Sequence, residues 1–349
     1  MSVIRGALSG THPLSEELIG KILDYKYNRD TIEPVQQNFL KELNDLISIQ
    51  QSAEFPVLSS GSLGIEDLIR PFTRCLKCLK SYHEIGDLPL VRWHYTNTFY
   101  RKPRLIARFP EESDVILTDR NALTGISSYS HEALENKVSR IVIPGPVSLV
   151  SLIDNGYAGT GSPFYSDIND MIEDAGRFLS QEVAKLPVNY EEIQFDEPAL
   201  VWKKIPRRLD NSIIQAYEHI RSEIGRRKFI VNTYFENARP ALRLLFKLPV
   251  DGFGIDLFAT NLTNLVTSSF EGKIFQAGII NAKNYLPTRD GKLDHSLTEF
   301  YTNLVRLITQ LKPEEIILTS NTGLEYLPKS AADACIQQLT AIVKEVQML

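Results

Sequence analysis

The chain has 349 residues, of which 43% are hydrophobic and 23% are charged, as is typical of a folded globular protein. Its formal net charge of −5 gives no electrostatic reason to expect nucleic acid or an anionic membrane surface as a partner. No apolar run approaches the roughly 20 residues that span a bilayer, and the first residues lack the apolar core of a signal peptide. We therefore expect a cytoplasmic protein that binds a small molecule or another protein.

Short apolar runs rich in Val and Ile alternate with longer segments of helical periodicity, a pattern that predicts βα units around a buried parallel sheet. Nine runs qualify as strands for the eight places of a barrel, so we expect one of them to be an extra strand or an extended loop. The strand candidates are 3–8, 56–59, 90–95, 141–143, 192–195, 229–232, 252–255, 274–280 and 316–319.

The periodic segments between these runs predict helices, and Ser296 and Ser330 supply helix start signals. The predicted helices cover 34–49, 164–186, 210–225, 237–247, 296–311 and 330–346. No low-complexity linker divides the chain, so we predict one domain over residues 1–349, a (β/α)8 TIM barrel with extra N-terminal helices. The irregular stretch 110–136 is predicted to be a loop or hairpin over the barrel mouth.

Three cysteines, Cys75, Cys78 and Cys335, cannot close a disulfide framework and are typical of a reducing compartment. The Cys75-x-x-Cys78 pair lies in a segment with apolar residues at helical spacing, which favours buried structural thiols. A zinc site would need two further ligands, and the six His residues show no spacing that supplies them.

Polar residues follow most of the predicted strands, where a barrel of this type meets its ligands. Asp196 and Glu197 stand at such a strand end, and paired acids there can bind a cationic amine or exchange protons. A carboxylate held by an Arg or Lys of the barrel itself would have the same sequence signature. Lys283 can neutralise an anionic ligand or be an ordinary solvated lysine. Pro144-Gly145-Pro146 is interpreted first as a sharp turn into the next helix.

Seven blocks in order carry a family resemblance: RWHYTNTFYRKP, IPGPVSL, IQFDEPAL, NTYFENA, LPVDGFGIDL, QAGIINAKNYL and LTSNTGLEYLP. Together they resemble the N-terminal barrel of cobalamin-independent methionine synthase. The resemblance is clear over 90–330 and loose over 1–89.

The resemblance implies that this chain corresponds to one half of a methyltransferase that has two similar barrels. In that family the C-terminal barrel binds zinc and homocysteine through a His-x-Cys pair, a Glu and a distant Cys, and the N-terminal barrel helps to hold a methylated tetrahydrofolate. Here Asn232, Thr233 and Tyr234 stand where His-x-Cys would be, and Thr322 stands where the last Cys would be. The chain is thus expected to bind no metal or cofactor and to contribute no catalytic residue, with zinc in a separate partner barrel.

Family roles carry over to some positions of this sequence and not to others. Arg92 corresponds to the basic residue beside the family's Trp, here Trp93, that contacts the folate. The segment that binds the polyglutamate tail falls near residues 16–19, where the basic residues are missing and Lys21 is a nearby substitute. This departure puts long polyglutamate tails in doubt and leaves a differently modified pterin, or a methyl carrier that is not a folate, as an alternative donor. The expected substrate-binding residues are Arg92, Trp93, Asn97, Asp196, Glu197, Lys283, Asn284 and Lys21.

Chemistry supports a need for a partner. A thiol with a pKa near ~8.5 is mostly protonated at neutral pH, so methyl transfer to homocysteine calls for a metal that ionises the sulfur. The first hypothesis is therefore a subunit that binds a methylated reduced pterin while a zinc-bearing barrel docks homocysteine at a shared cleft. The alternative is a non-catalytic scaffold or regulatory partner of the catalytic barrel, and a third hypothesis is an independent methyltransferase with another acceptor.

Overall fold

A curled parallel sheet is the centre of the fold. The computed structural model describes residues 2–64, 68–69, 72, 76–79, 88–93, 96, 99–112, 137–157, 161–202, 205–262, 265, 270–283 and 303–348. Seven parallel strands in the spatial order β1-β9-β8-β7-β6-β5-β4 form the sheet. They are β1 (Val3–Gly6), β4 (Arg140–Pro144), β5 (Glu192–Asp196), β6 (Lys228–Thr233), β7 (Gly252–Asp256), β8 (Ile274–Ile280) and β9 (Glu315–Ser320).

Contacts across the sheet show that it is rolled into a barrel. Arg5 of β1 pairs with Glu192 of β5, although four strands separate them in the sheet order. Arg140 of β4 likewise bonds to Gln276 of β8. Because side chains alternate between the two faces of a strand, the intervening Ile193 and Phe195 point outward into the main hydrophobic core under the helices. The predicted TIM-barrel class is confirmed.

One of the nine strand predictions was wrong, and another is the extra strand that the count of nine runs required. Residues 56–59 form no extended strand; Ser59 alone makes a parallel bridge to Arg140, at the eighth place of the barrel. Pro56 has no N–H to donate to a ladder, which limits pairing at this edge. Of the predicted run 90–95, residues 90–92 supply the expected extra strand, because β2 (Leu90–Arg92) pairs antiparallel with β3 (Phe99–Arg101) in a separate two-stranded sheet.

Helices cover the outer face of the sheet. They are α1 (Glu16–Lys26), α2 (Glu33–Ser52), α3 (Pro146–Ser151), α4 (Ile168–Ala184), α5 (Ala199–Trp202), α6 (Asp210–Ile224), α7 (Leu242–Leu245) and α8 (Lys329–Gln347), and residues 303–309 are also helical. The predicted helices 34–49, 164–186, 210–225 and 330–346 correspond to α2, α4, α6 and α8. The predicted helix 237–247 is wrong in length, because only Leu242–Leu245 is α-helical after Pro240.

The N-terminal helices α1 and α2 stand between β1 and Ser59, as the barrel prediction required. Cys78 and Cys335 are buried, whereas Cys75 lies outside the described residues, as do residues 113–136 of the predicted mouth loop and residues 296–302 of a predicted helix. Within the described ranges, none of the helices combines the length and the apolarity that a membrane crossing requires.

Candidate functional site

A chain of buried polar side chains runs through the barrel from its amino end to the carboxyl ends of the strands. It begins with an ionic cluster in which Arg5 bonds to Glu192 and Glu315, and Lys228 also bonds to Glu315. Arg140 bonds to Glu192 and is fully buried. Removing such charges from water is unfavourable unless each has partners, so this cluster is a closely constrained part of the interior.

Arg140 connects the ionic cluster to two amides. One guanidinium nitrogen, Nη2, donates to the carbonyl oxygens of both Gln194 and Gln276. A guanidinium can only donate, so it fixes both amides with their NH2 groups turned toward the barrel mouth. Gln276 Nε2 then donates to Gln194 Oε1 at 3.0 Å and to Asn232 Oδ1 at 3.1 Å.

The three amides of Gln194, Gln276 and Asn232 form a hydrogen-bonded relay with two branches, and both branches end on Asp196. Gln194 Nε2 donates to Asp196 Oδ1 at 2.6 Å, and Asn232 Nδ2 donates to the same oxygen at 3.2 Å. Tyr234 Oη donates to Asp196 Oδ2 at 3.2 Å. The relay therefore presents hydrogen-bond donors to a carboxylate placed at the end of β5.

The relay needs the space that Gly254 leaves open. A Cβ atom at this position of β7 would lie 2.1 Å from Asn232 Oδ1 and 2.9 Å from Gln276 Nε2. Only glycine lets the two amides meet across the barrel at this level, because any side chain would occupy the path of their hydrogen bond.

Asp196 is buried yet titrates near the physiological range. Its side chain is 4% exposed, and burial raises its pKa to about 6, against the opposing hydrogen bonds and the positive charge of Arg140. A perturbed carboxyl at the carboxyl end of a barrel strand is a functional-site candidate on physical grounds. At neutral pH it is an anion held in a nearly water-free position.

Glu197 points to a different place although it is the next residue. Its two oxygens accept the backbone N–H groups of Val147 at 2.9 Å and Ser148 at 2.7 Å, in the first turn of α3. Tyr217 of α6 donates to it at 3.0 Å, and burial raises its pKa to about 7. A Cβ on Gly145 would lie 2.3 Å from Glu197 Oε1, which explains the glycine of the Pro144-Gly145-Pro146 turn. These contacts anchor α3 on β5, and ligand contact by Glu197 stays a prediction.

A second cluster joins the ends of β6, β7, β8 and β9. Asp256 is 2% exposed and accepts both hydrogen bonds of the Asn321 amide nitrogen, at 3.2 Å to each oxygen. Asp256 Oδ2 also accepts the Phe235 N–H at 3.3 Å, and Asn321 Oδ1 accepts the Ala282 N–H at 2.9 Å. Lys283 follows directly, exposed, with its ammonium 4.2 Å from the Phe235 ring centroid.

The remaining predicted residues lie elsewhere or are not described. Arg92 donates to the Thr96 carbonyl within the β2–β3 hairpin, and Trp93 packs edge-on against Tyr100 with 5.4 Å between ring centroids. Lys21 lies half-buried on α1. Asn97 and Asn284 fall outside the described residues. The roles predicted for these residues stay predictions.

The family model for the cobalamin-independent synthase N-terminal domain matches residues 80–302, more than half of the chain. The chain belongs to this family. A 5-methyltetrahydropteroyltriglutamate–homocysteine methyltransferase of Streptococcus sanguinis (strain SK36) is 27% identical over 283 residues, which are 80% of this chain and 34% of that protein. The chain thus spans about a third of the length of the curated relatives it matches.

Solved structures share the fold of this family member. A B12-independent methionine synthase from Shewanella sp. W3-18-1, in complex with selenomethionine, superposes with a TM-score of 0.71 at 14% identity and covers 99% of this chain and 98% of its own. A putative vitamin-B12 independent methionine synthase from Listeria monocytogenes gives 0.66 at 14% identity, with coverages of 100% and 98%. At these identities the likeness concerns the fold alone.

The side chains at the zinc-ligand positions of the family resemblance do not fit zinc. Asn232 donates to Asp196, Thr233 donates to the Gly254 carbonyl at 2.9 Å, and Tyr234 donates to Asp196. Structural and catalytic zinc sites are built from thiolates, imidazoles and carboxylates, so amides and hydroxyls at these positions make an unsuitable set. Among the residues that the structure describes, no group of three His, Cys, Asp or Glu side chains is placed to hold a metal ion.

Proposed function

We propose that this chain is the donor-binding subunit of a cobalamin-independent methionine synthase that acts in methionine biosynthesis in the cytoplasm. In this proposal it binds a methylated reduced pterin, and a separate zinc-bearing barrel supplies the homocysteine site at a shared cleft. The observation that carries the proposal is the match of residues 80–302 to the N-terminal domain model. The name of the Streptococcus sanguinis relative supplies the reaction class and the two substrates.

Asp196 supports donor binding through its charge and position. A pKa of about 6 leaves its carboxylate ionised at neutral pH, and the relay occupies Oδ1 with two donors while Oδ2 accepts from Tyr234. A carboxylate has about four acceptor positions, so Oδ2 can take an N–H of the pterin ring. Charge-assisted bonds of this kind are stronger than those between neutral groups.

Cations of the chain complement the acidic half of a folate-type donor. In the proposal, Lys283 and Arg92 attract the donor's glutamate carboxylates, with Lys21 as a further cation for the tail. The other residues that we expect to line the donor-binding site are Trp93, Asn97 and Asn284. Homocysteine activation is assigned to the partner, because an ionised thiol at neutral pH requires a metal or a comparable perturbation of its pKa.

Reconstitution tests the proposal. The purified chain is mixed with a purified zinc-bearing barrel of the same family, 5-methyltetrahydrofolate and homocysteine, and methionine is measured over time. We expect methionine only when both chains are present. Donors with one and with three glutamates are compared, because the missing basic residues near 16–19 predict little gain from the longer tail. Methionine formation that is indifferent to this chain contradicts the proposal.

Charge substitutions separate donor binding from the scaffold alternative. Arg92→Met and Lys283→Met each remove one cation and keep much of the apolar side chain. Under the donor-binding proposal they raise the KM for 5-methyltetrahydrofolate, whereas a scaffold would leave that KM unchanged. Lys41→Met, on the exposed face of α2, is the matched control for the loss of one positive charge.

A further inference from the structure

Phe235 has an unusual backbone conformation at the carboxyl end of β6. Its φ of 81° lies in the left-handed region, which a bulky side chain rarely adopts. Its ring is only half-buried, so packing alone gives little compensation for this conformation. Strained residues of this kind persist where the surroundings hold them, and they are concentrated at functional sites.

The restraint comes from Asp256 and Asn321. Asp256 Oδ2 accepts the Phe235 N–H at 3.3 Å, and the Asn321 amide nitrogen bonds to the same carboxylate. Asn321 Oδ1 in turn accepts the Ala282 N–H at 2.9 Å. One buried acid–amide pair therefore fixes the backbone at Phe235 and the backbone immediately before Lys283.

The consequence is a paired aromatic and cationic surface. The Lys283 ammonium lies 4.2 Å from the Phe235 ring centroid, and Tyr234 and Tyr326 flank that ring at centroid distances of 4.7 Å and 6.4 Å. Partial burial lowers the pKa of Lys283, against the attraction of the Asp256 and Glu236 charges. A partly desolvated ammonium is a good partner for an incoming carboxylate, because less hydration must be removed.

We infer that Phe235 and Lys283 form a binding site for an aromatic ring that carries a carboxylate side chain. The ring stacks against Phe235, and the carboxylate pairs with the Lys283 ammonium, which leaves the Phe235 face. The inference rests on the proposed function and deepens it, because the 4-aminobenzoyl-glutamate half of a folate-type donor has this chemistry. Asp256 and Asn321 are positioning residues for the site.

The test uses a fragment that lacks the pterin. Binding of N-(4-aminobenzoyl)-L-glutamate to the purified full chain is measured by calorimetry, alongside L-glutamate, which lacks the ring, and 4-aminobenzamide, which lacks the carboxylates. We expect the complete fragment to bind more tightly than either part. Higher salt should weaken the binding of the fragment and of L-glutamate and leave the binding of 4-aminobenzamide unchanged, because salt screens the ion pair.

Variants assign the binding to the two residues. Phe235→Leu keeps an apolar side chain without a ring face and should weaken the fragment roughly three- to tenfold, the range of an aromatic pair. Lys283→Met should weaken it about tenfold and remove the salt dependence, whereas Lys283→Arg retains most of the affinity. Lys41→Met is the control for charge, and thermal unfolding verifies that each variant is folded.

The outcomes separate this inference from the proposed function. Wild-type affinity in both Phe235→Leu and Lys283→Met overturns the inference, as does binding of 5-methyltetrahydrofolate by a chain that does not bind the fragment. In the second case the proposed function still stands. Fragment binding that depends on both residues, combined with a failed reconstitution, supports the site and rejects the proposed function.

Discussion

Replacement of Asp196 by Asn removes one buried negative charge and keeps the shape of the side chain. The asparagine oxygen can occupy the place of Oδ1 and accept from Gln194 and Asn232. Its NH2 group then faces Tyr234, whose hydroxyl can accept as well as donate. The variant therefore keeps the local hydrogen bonds and changes mainly the electrostatic free energy.

The expected gain in the unfolding free energy of the Asp196→Asn variant follows from the pKa of Asp196. Burial raises this pKa from the usual 3.8 to about 6, a difference that corresponds to roughly 3 kcal/mol of unfolding free energy. The pKa of Asp196 is higher in the folded state than in the unfolded state. The unfolding free energy of the wild-type protein therefore falls as the pH rises from 4 through 6. The asparagine variant should thus be more stable by up to ~3 kcal/mol at pH 8, with an advantage that shrinks toward pH 4.

Urea unfolding of both proteins at pH 4, 6 and 8 measures this difference. Asp45→Asn, which changes the same charge on the exposed face of α2, controls for overall charge. A stability difference that does not vary with pH, or an asparagine variant less stable than wild type at pH 8, would refute the electrostatic reasoning. Donor binding should change in the opposite direction, because the variant has no carboxylate for 5-methyltetrahydrofolate.

Three further substitutions test the interior contacts by urea unfolding. Arg140→Met should cost about 3–5 kcal/mol because it removes one of the two cations that pair with buried Glu192 and the donor to the Gln194 and Gln276 oxygens, and an unchanged unfolding free energy would contradict this role. Tyr217→Phe should cost about 1 kcal/mol by removing the hydroxyl that donates to Glu197; a neutral result would show that this bond contributes no stability. Gly254→Ala should cost about 1–3 kcal/mol, since its Cβ would stand between Asn232 and Gln276, and an unchanged protein would contradict the need for space there.

Apolar periodicity identified most of the barrel but not its edges. Buried parallel strands are nearly continuous apolar runs, which is why 252–255 and 274–280 were predicted correctly. The hairpin strand 90–92 has a similar local pattern, and a short run cannot indicate whether its partner is parallel or antiparallel. The pairing partner, Phe99–Arg101, decides that question, and it lies in a separate two-stranded sheet.

The interior of the barrel was largely missed because charged residues were read as strand boundaries. Arg140, Lys228 and Glu315 each stand one residue before a predicted strand, yet each is the first residue of the strand observed. Their charges are compensated by residues on strands that are distant in sequence: Arg140 pairs with Glu192, and Glu315 pairs with Arg5 and Lys228. Asp196, in contrast, could be found from the sequence. Residues at the carboxyl ends of barrel strands meet the ligand, and this rule applies without knowing which side chains pair across the barrel.

The amide relay beneath Asp196 has a consequence for how the protein can diverge. Because the Arg140 guanidinium fixes the orientation of the Gln194 and Gln276 amides, a carboxylate at 194 or 276 would point its lone pairs at another acceptor. We therefore expect positions 140, 194, 232, 276 and 196 to vary as a linked set among relatives. A lineage that loses the acid at 196 still has Glu192 lower in the barrel, so the arginine at 140 is expected to persist until that glutamate is lost as well.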